Sequence, residues 1–164
     1  YAEDIIRKEE PFSEWQIRNI HQLILKNIDD DNAGRYRQQN VLISGATTTP
    51  PDYTLLNDKM TQLVDWYNSE AHKLHPIERA AKVHADFVGI HPFIDGNGRT
   101  SRLLMNLELL KAGYPPCVIT VENRLAYYEA LDQWMAYGKT EAFIQLVSEA
   151  VLEGFKPYQV VLGI

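Results

Sequence analysis

A turn broken by glycine, Gly96-Asn97-Gly98, lies between two stretches of helical apolar spacing, and this restricts the fold more than any other feature of the chain. Upstream, Ile77, Ala80, Ala81, His84, Phe87 and Val88 share one face of a helix that Pro76 opens. Downstream, Leu103, Leu104, Leu107, Leu109 and Leu110 cover a wide arc, the pattern of a helix surrounded by others. Two such helices must be buried, and the remaining spacing predicts what buries them. Ser13, three residues before Gln16, opens a helix with Ile17, Ile20 and Ile24 inward, running to about Ile28. Asp52 caps a second, with Leu56, Met60, Leu63, Val64 and Tyr67 inward, ending around Ser69. Further helices are expected from about Val121 to Met135, and from Thr140, with Phe143, Ile144, Val147 and Val151 inward, to a stop at Gly154. Gly113 and Pro115-Pro116 end the central helix. The expected fold is all-α, one bundle of six to eight helices. From Tyr36 to Pro51 the period changes, and Val41-Leu42-Ile43, Ser44-Gly45 and Thr47 to Thr49 predict a small β-hairpin.

A chain of 164 residues, 45% hydrophobic, is long enough for one well-buried core and short for two. Residues 13–154 are read as the domain, 1–12 as the end of an upstream helix and 155–164 as a tail. Tyr1 in place of Met points to a piece of a longer protein. A net charge of −6 without a basic stripe argues against nucleic acid, and no apolar run reaches membrane-spanning length. The single Cys117 forms no internal disulfide and is read as a small buried hydrophobe. Asp29-Asp30-Asp31 lacks the spaced ligands of a calcium loop and is read as a solvated turn. His72 and His75 have no carboxylate or Cys beside them to complete a metal site and are read as surface histidines; His84 is read as a core histidine with a satisfied hydrogen bond.

Chemistry concentrates in His91-Pro92-Phe93-Ile94-Asp95-Gly96-Asn97-Gly98-Arg99-Thr100-Ser101-Arg102. Small residues at a helix N-terminus let successive N–H groups of Gly96, Asn97 and Gly98 converge on an anion. Arg99 and Arg102, three apart, place two planar cations on one side of the first turn, where they suit phosphate oxygens. Asp95 stands where a carboxylate would hold Mg²⁺ shared with those oxygens, and His91 could take a proton from an attacking hydroxyl. A Gly-Asn-Gly turn or a first-turn Arg is commonplace alone; together with a His and an acid they argue for metal-assisted transfer of a phosphorus group. Phe93 and Ile94 are read as packing the loop into the core.

At every fixed position this segment resembles the Fic-family motif His-x-Phe-x-(Asp/Glu)-Gly-Asn-Gly-Arg-x-x-Arg. The similarity extends to Gly34-Arg35-Tyr36-Arg37 and Ala112-Gly113-Tyr114-Pro115-Pro116, covers roughly Ser13 to Val151, and is shared with metazoan endoplasmic-reticulum and bacterial members. It implies an adenylyltransferase that moves AMP from Mg²⁺-ATP to a Ser, Thr or Tyr hydroxyl of a protein and releases pyrophosphate. By resemblance His91 is the base, Asp95 the metal ligand, Gly96, Asn97 and Gly98 the cradle of the α- and β-phosphates, with Arg99 on the phosphates and Arg102 on the γ-phosphate. Tyr127 or Tyr128 would lie against the adenine, although the Asn that many relatives carry after that pair is not evident in Gln133 to Gly138. The hairpin would be a flap that docks the target through residues 41–49 by strand addition. A cytoplasmic bacterial setting is expected, with secretory targeting upstream of Tyr1 left open, and a homodimer is a candidate assembly.

Three other readings are weighed. Removal of AMP from a modified protein would use the same site, and a non-catalytic protein-binding module would use the flap alone. Kinase-like members carry a lysine where this chain has Gly98, which argues against γ-phosphate transfer. Fic proteins are commonly restrained by a helix of pattern Ser/Thr-x-x-x-Glu-Gly/Asn whose glutamate pairs with the second motif arginine, here Arg102. Glu153-Gly154 comes nearest, but Glu149 occupies the Ser/Thr position, so the inhibitory element is expected upstream of Tyr1 or on a separate antitoxin-like protein.

Overall fold

The structure, a computed structural model, describes residues 11–163. The upstream helix end expected over 1–12 therefore lies, apart from Pro11 and Phe12, outside the described residues. Six α-helices follow in order: α1 (Glu14–Leu25), α2 (Leu56–Glu70), α3 (Pro76–Ile90), α4 (Asn97–Lys111), α5 (Arg124–Tyr137) and α6 (Glu141–Leu162). Short 3₁₀ turns, Tyr53–Leu55 and Ala71–Lys73, stand before and after α2. The all-helical expectation is met.

The caps explain where most helices begin. Ser13 Oγ accepts the Gln16 amide at 3.2 Å and starts α1. Asp52 accepts the Thr54 amide, so it caps the 3₁₀ turn ahead of α2 and not α2 itself. His75, expected to be a plain surface residue, is the N-cap of α3, and its Nδ1 accepts the Ile77 amide at 3.3 Å.

Two apolar clusters share α3 and α4. One joins them to α1 and α2 through Ile17, Ile20, Met60, Leu63, Val83, Phe87, Phe93 and Leu104. The other joins them to α5 and α6 through Ala81, Ala85, Met105, Leu109, Leu131, Trp134, Phe143 and Val147. Both ends of the glycine turn are thus rooted in core, which fixes the N-terminus of α4. Leu110, at 40% exposure, falls outside the arc expected of it.

Three expectations fail for identifiable reasons. Helix α1 stops at Leu25 because Asn27 adopts φ 63° and gives its amide to Asp30 Oδ1 at 2.9 Å; Ile28 is left exposed. Gly154 does not close α6, which continues to Leu162. A side chain at 154 would place its Cβ 3.1 Å from Pro115, so this glycine serves close packing and not termination. The β-hairpin expected over 36–50 is not formed. The segment is held by side chains instead of by a ladder: Thr47 gives its amide and hydroxyl to Asp132 at 2.7 and 2.8 Å, while Asn40 binds the Tyr53 amide and the Asp52 carboxylate. Two short strands without a third neighbour gain little from pairing, and these anchors offer an alternative.

Glu108 of α4 is a buried carboxylate that receives Tyr67 Oη at 2.6 Å, Arg79 Nε at 3.0 Å and Lys111 Nζ at 3.2 Å. Removing it leaves two cations and a phenol without their acceptor. Glu108→Ala is expected to cost on the order of 3 kcal/mol, read as a lowered urea midpoint. A midpoint within error of the parent chain would show that the network contributes nothing net.

Candidate active site

The motif loop starts in strained backbone. His91 is the C-cap of α3 in left-handed geometry, φ 51°, with its amide returned to Phe87 O at 3.1 Å. Its side-chain Nδ1 lies 3.2 Å from Val88 O. A carbonyl only accepts, so Nδ1 carries the proton and Nε2 is left with a lone pair, the state a general base needs. Burial holds the His91 imidazole below its ordinary value of 6.5 and so keeps it neutral.

Phe93 is fully buried, as expected, and anchors the loop; Ile94 does not, being 36% exposed. Asn97 turns its side chain back along the loop: Oδ1 accepts the Phe93 amide at 2.9 Å and Nδ2 donates to Phe93 O at 2.8 Å. Only the backbone of Asn97 is therefore available to an anion. Gly96 precedes α4 at φ 80°, and no side chain caps that helix, so the amides that open it are left without a side-chain acceptor, while the Gly96 amide itself is taken by Asp95.

The two arginines part company. Arg99 pairs with Asp95 at 2.9 Å, one turn apart, while Asp95 Oδ1 also accepts the Gly96 amide at 2.5 Å. Arg102 folds back along its helix; a Cβ at Gly98 would stand 3.3 Å from its Nη1. Arg102 lines a cavity of about 230 Å³ together with Tyr127 and Tyr128. Tyr127 is buried and Tyr128 half exposed, with the Arg124 guanidinium 5.6 Å from its ring centre. His84, the expected core histidine, is satisfied at one nitrogen only: Nε2 binds Tyr127 Oη at 2.9 Å, Nδ1 has no partner among the described residues, and complete burial pushes its pKa down to about 3.

Among the described residues no cluster of three or more His, Cys, Asp or Glu could hold a metal by itself. Asp95 is a single exposed carboxylate beside the uncapped start of α4, a donor that would suit Mg²⁺ shared with other oxygen ligands and not a closed protein cage. Cys117 is buried and its thiol is pushed up to about 11, in keeping with a packing role.

Two positioning residues were given no role from the sequence, although Arg37 stands in the Gly34-Arg35-Tyr36-Arg37 stretch of the resemblance. His21, on α1, is fully buried and stacks face to face on Phe93 with ring centres 3.5 Å apart. Its Nδ1 accepts the Gly34 amide at 2.9 Å and its Nε2 donates to Asp95 O at 2.9 Å. Only the neutral imidazole with its proton on Nε2 makes both bonds, and burial favours that neutral form. A Cβ on Gly96 would lie 3.0 Å from the same ring, so the glycine is required here by His21 as well as by φ. Arg37 is the second: its guanidinium, 3% exposed, donates to His91 O at 2.8 Å, Gln39 O at 2.9 Å and Pro51 O at 2.6 Å, and its amide to Pro92 O at 2.9 Å. The one available signal for His21 was its place four residues after Ile17 on an apolar face.

The profile of the Fic/DOC family matches residues 11–109, more than half of the chain. This chain belongs to the Fic/DOC family. Among its relatives, the protein adenylyltransferase Fic of Nematostella vectensis is 42% identical over 145 residues, 88% of this chain and 33% of that protein. Protein adenylyltransferase fic-1 of Caenorhabditis elegans is 42% identical over 116 residues, 70% of this chain and 22% of that protein. A solved Fic-1 fragment from Caenorhabditis elegans superposes with a TM-score of 0.85 at 32% identity, covering 99% of this chain and 49% of the fragment. The chain thus spans a third or less of the length of these two curated relatives. Among the described residues no helix is long and apolar enough to cross a membrane.

Proposed function

We propose that this Fic/DOC chain transfers AMP from ATP to a hydroxyl of a protein target, Ser, Thr or Tyr, and releases pyrophosphate. The observation that carries the reading is the conjunction at the loop: an unprotonated His91 Nε2, an uncapped helix N-terminus, and Asp95, Arg99 and Arg102 around it. Relatives at about this similarity are named protein adenylyltransferases, which supports the same reaction.

In this reading His91 Nε2 removes the proton from the target hydroxyl as its oxygen attacks the α-phosphorus. The first amides of α4 hold phosphate oxygens, and Arg99 and Arg102 offset charge on the polyphosphate. Bound at Asp95, Mg²⁺ would supply further neutralisation of phosphate charge. Asp95 and Arg99 are already paired, so both must change partner when the nucleotide is seated. The cavity at Tyr127 and Tyr128 is assigned to the nucleoside, with Tyr127 steadied from beneath by His84. The segment 41–49 is assigned to the target. Its anchoring at Thr47 leaves Leu42 81% exposed, an apolar contact for an extended polypeptide.

Incubation of the chain with a candidate protein and ATP labelled on either the α- or the γ-phosphate tests this directly. Label is expected on protein from the α position alone. Label from the γ position alone would assign a kinase-like reaction instead.

A further inference from the structure

A cleft of about 620 Å³ runs along α3 between α2 and α5, separate from the cavity at Arg102. Its position is specific. Thr48 and Thr49, continuing the segment assigned to the target, line it together with Gly89 and Ile90, the two residues before His91. A polypeptide extended along 41–49 with its hydroxyl at His91 would pass this cleft with residues two to four positions away, roughly 7–13 Å at about 3.3 Å per residue.

The lining is chemically graded. Leu63, Ala85 and Met135 make it apolar inside, and its volume leaves room for a single side chain. Its ionic groups are Lys59, Lys82 and Asp86. Asp86 is engaged twice, by Lys82 Nζ at 2.6 Å and by Trp134 Nε1 at 3.1 Å. Lys82 Nζ in turn sits 4.7 Å from the centre of the Trp66 ring. Lys59 has only Gln62 Oε1, at 3.5 Å, and no carboxylate partner among the described residues. Two lysines against one aspartate leave the cleft positive on a chain whose net charge is −6. A side chain with an apolar stem and an anionic tip matches both properties.

We propose that this cleft receives an acidic side chain of the target polypeptide, Glu before Asp, close in sequence to the hydroxyl that is modified. It is a specificity subsite of the reaction proposed above and rests on that reading. Lys59 is the principal contact, because Lys82 is already shared between Asp86 and Trp66.

The test uses fluorescein-labelled peptides with one acceptor hydroxyl and either Glu or Lys two to four residues from it. Binding is followed by anisotropy without nucleotide, and transfer by incorporation from α-labelled ATP. Glu peptides are expected to surpass Lys peptides by about fivefold in affinity and in kcat/KM, the size of one partly exposed ion pair. Lys59→Glu, an exposed surface change, is expected to remove or invert that preference while leaving uncharged peptides unaffected. Equal use of Glu and Lys peptides, or a preference that survives Lys59→Glu, overturns the subsite. Glu-selective binding that Lys59→Glu abolishes, without any transfer, supports the subsite and counts against AMP transfer alone. Absence of both binding and transfer overturns the subsite.

Discussion

Replacing His91 with Ala is expected to lower AMP transfer by roughly 10³-fold, the range a positioned general base contributes, while leaving ATP affinity within a few-fold of the parent. His91 Nδ1 is tied to Val88 O and only Nε2 is free to act, so no polyphosphate contact is lost with the ring. Calorimetric titration with a non-hydrolysable ATP analogue, beside transfer from α-labelled ATP, separates the two effects. Loss of nucleotide binding as complete as in Asp95→Ala would contradict this division of labour. The pH dependence of the parent chain carries the same signature. Burial disfavours the imidazolium and moves His91 below 6.5; the neutral ring is the base; transfer therefore persists as the pH falls to 6.5 and declines only below it. An acid limb centred above 6.5 in kcat/KM would assign the proton transfer to another group.

Arg37→Ala is expected to be the most disruptive single change outside the motif, costing on the order of 4 kcal/mol of stability and most of the transfer activity. Three carbonyls, those of His91, Gln39 and Pro51, lose a charged donor together, and each is held at 2.9 Å or less. Burial pushes the Arg37 pKa down, but a guanidinium remains charged at neutral pH, so its bonds are charge-assisted. Lysine offers no fork that reaches three acceptors, and Arg37→Lys should recover less than half of the loss. Chemical denaturation gives the stability and α-label transfer the activity. A variant of parental stability and parental rate would show that the loop keeps its shape without this residue.

What the sequence revealed follows physical range. The helices and the loop chemistry are local: a cap acts over three residues, an apolar face repeats every turn, and the His91 to Arg102 pattern is contiguous. Phe93 was legible for the same reason, as a large aromatic inside the contiguous loop pattern. Ile94 was misread because apolarity alone does not say which of two adjacent side chains turns inward. The hairpin was misread because β-branched residues signal an extended backbone, and whether that backbone pairs depended on Asp132, far along the chain. Gly154 looked like a stop until its neighbour across space, Pro115, gave it another purpose. The roles of His21 and Arg37 were hidden for the same reason, since each acts on the loop from a distant part of the chain. The split between Arg99 and Arg102 was equally invisible, because helical spacing places two side chains on one face without choosing their rotamers.

The bonds from His21 to Asp95 and from Arg37 to His91 span 74 and 54 residues. Contacts of that separation carry a loop-closure cost that is met only once the intervening helices are in place. The two ends of the motif loop are thus fastened by contacts of long sequence separation, whereas α3 and α4 themselves are held by local bonds. The geometry of the motif loop is therefore expected to be completed together with the tertiary structure and not with its local helices.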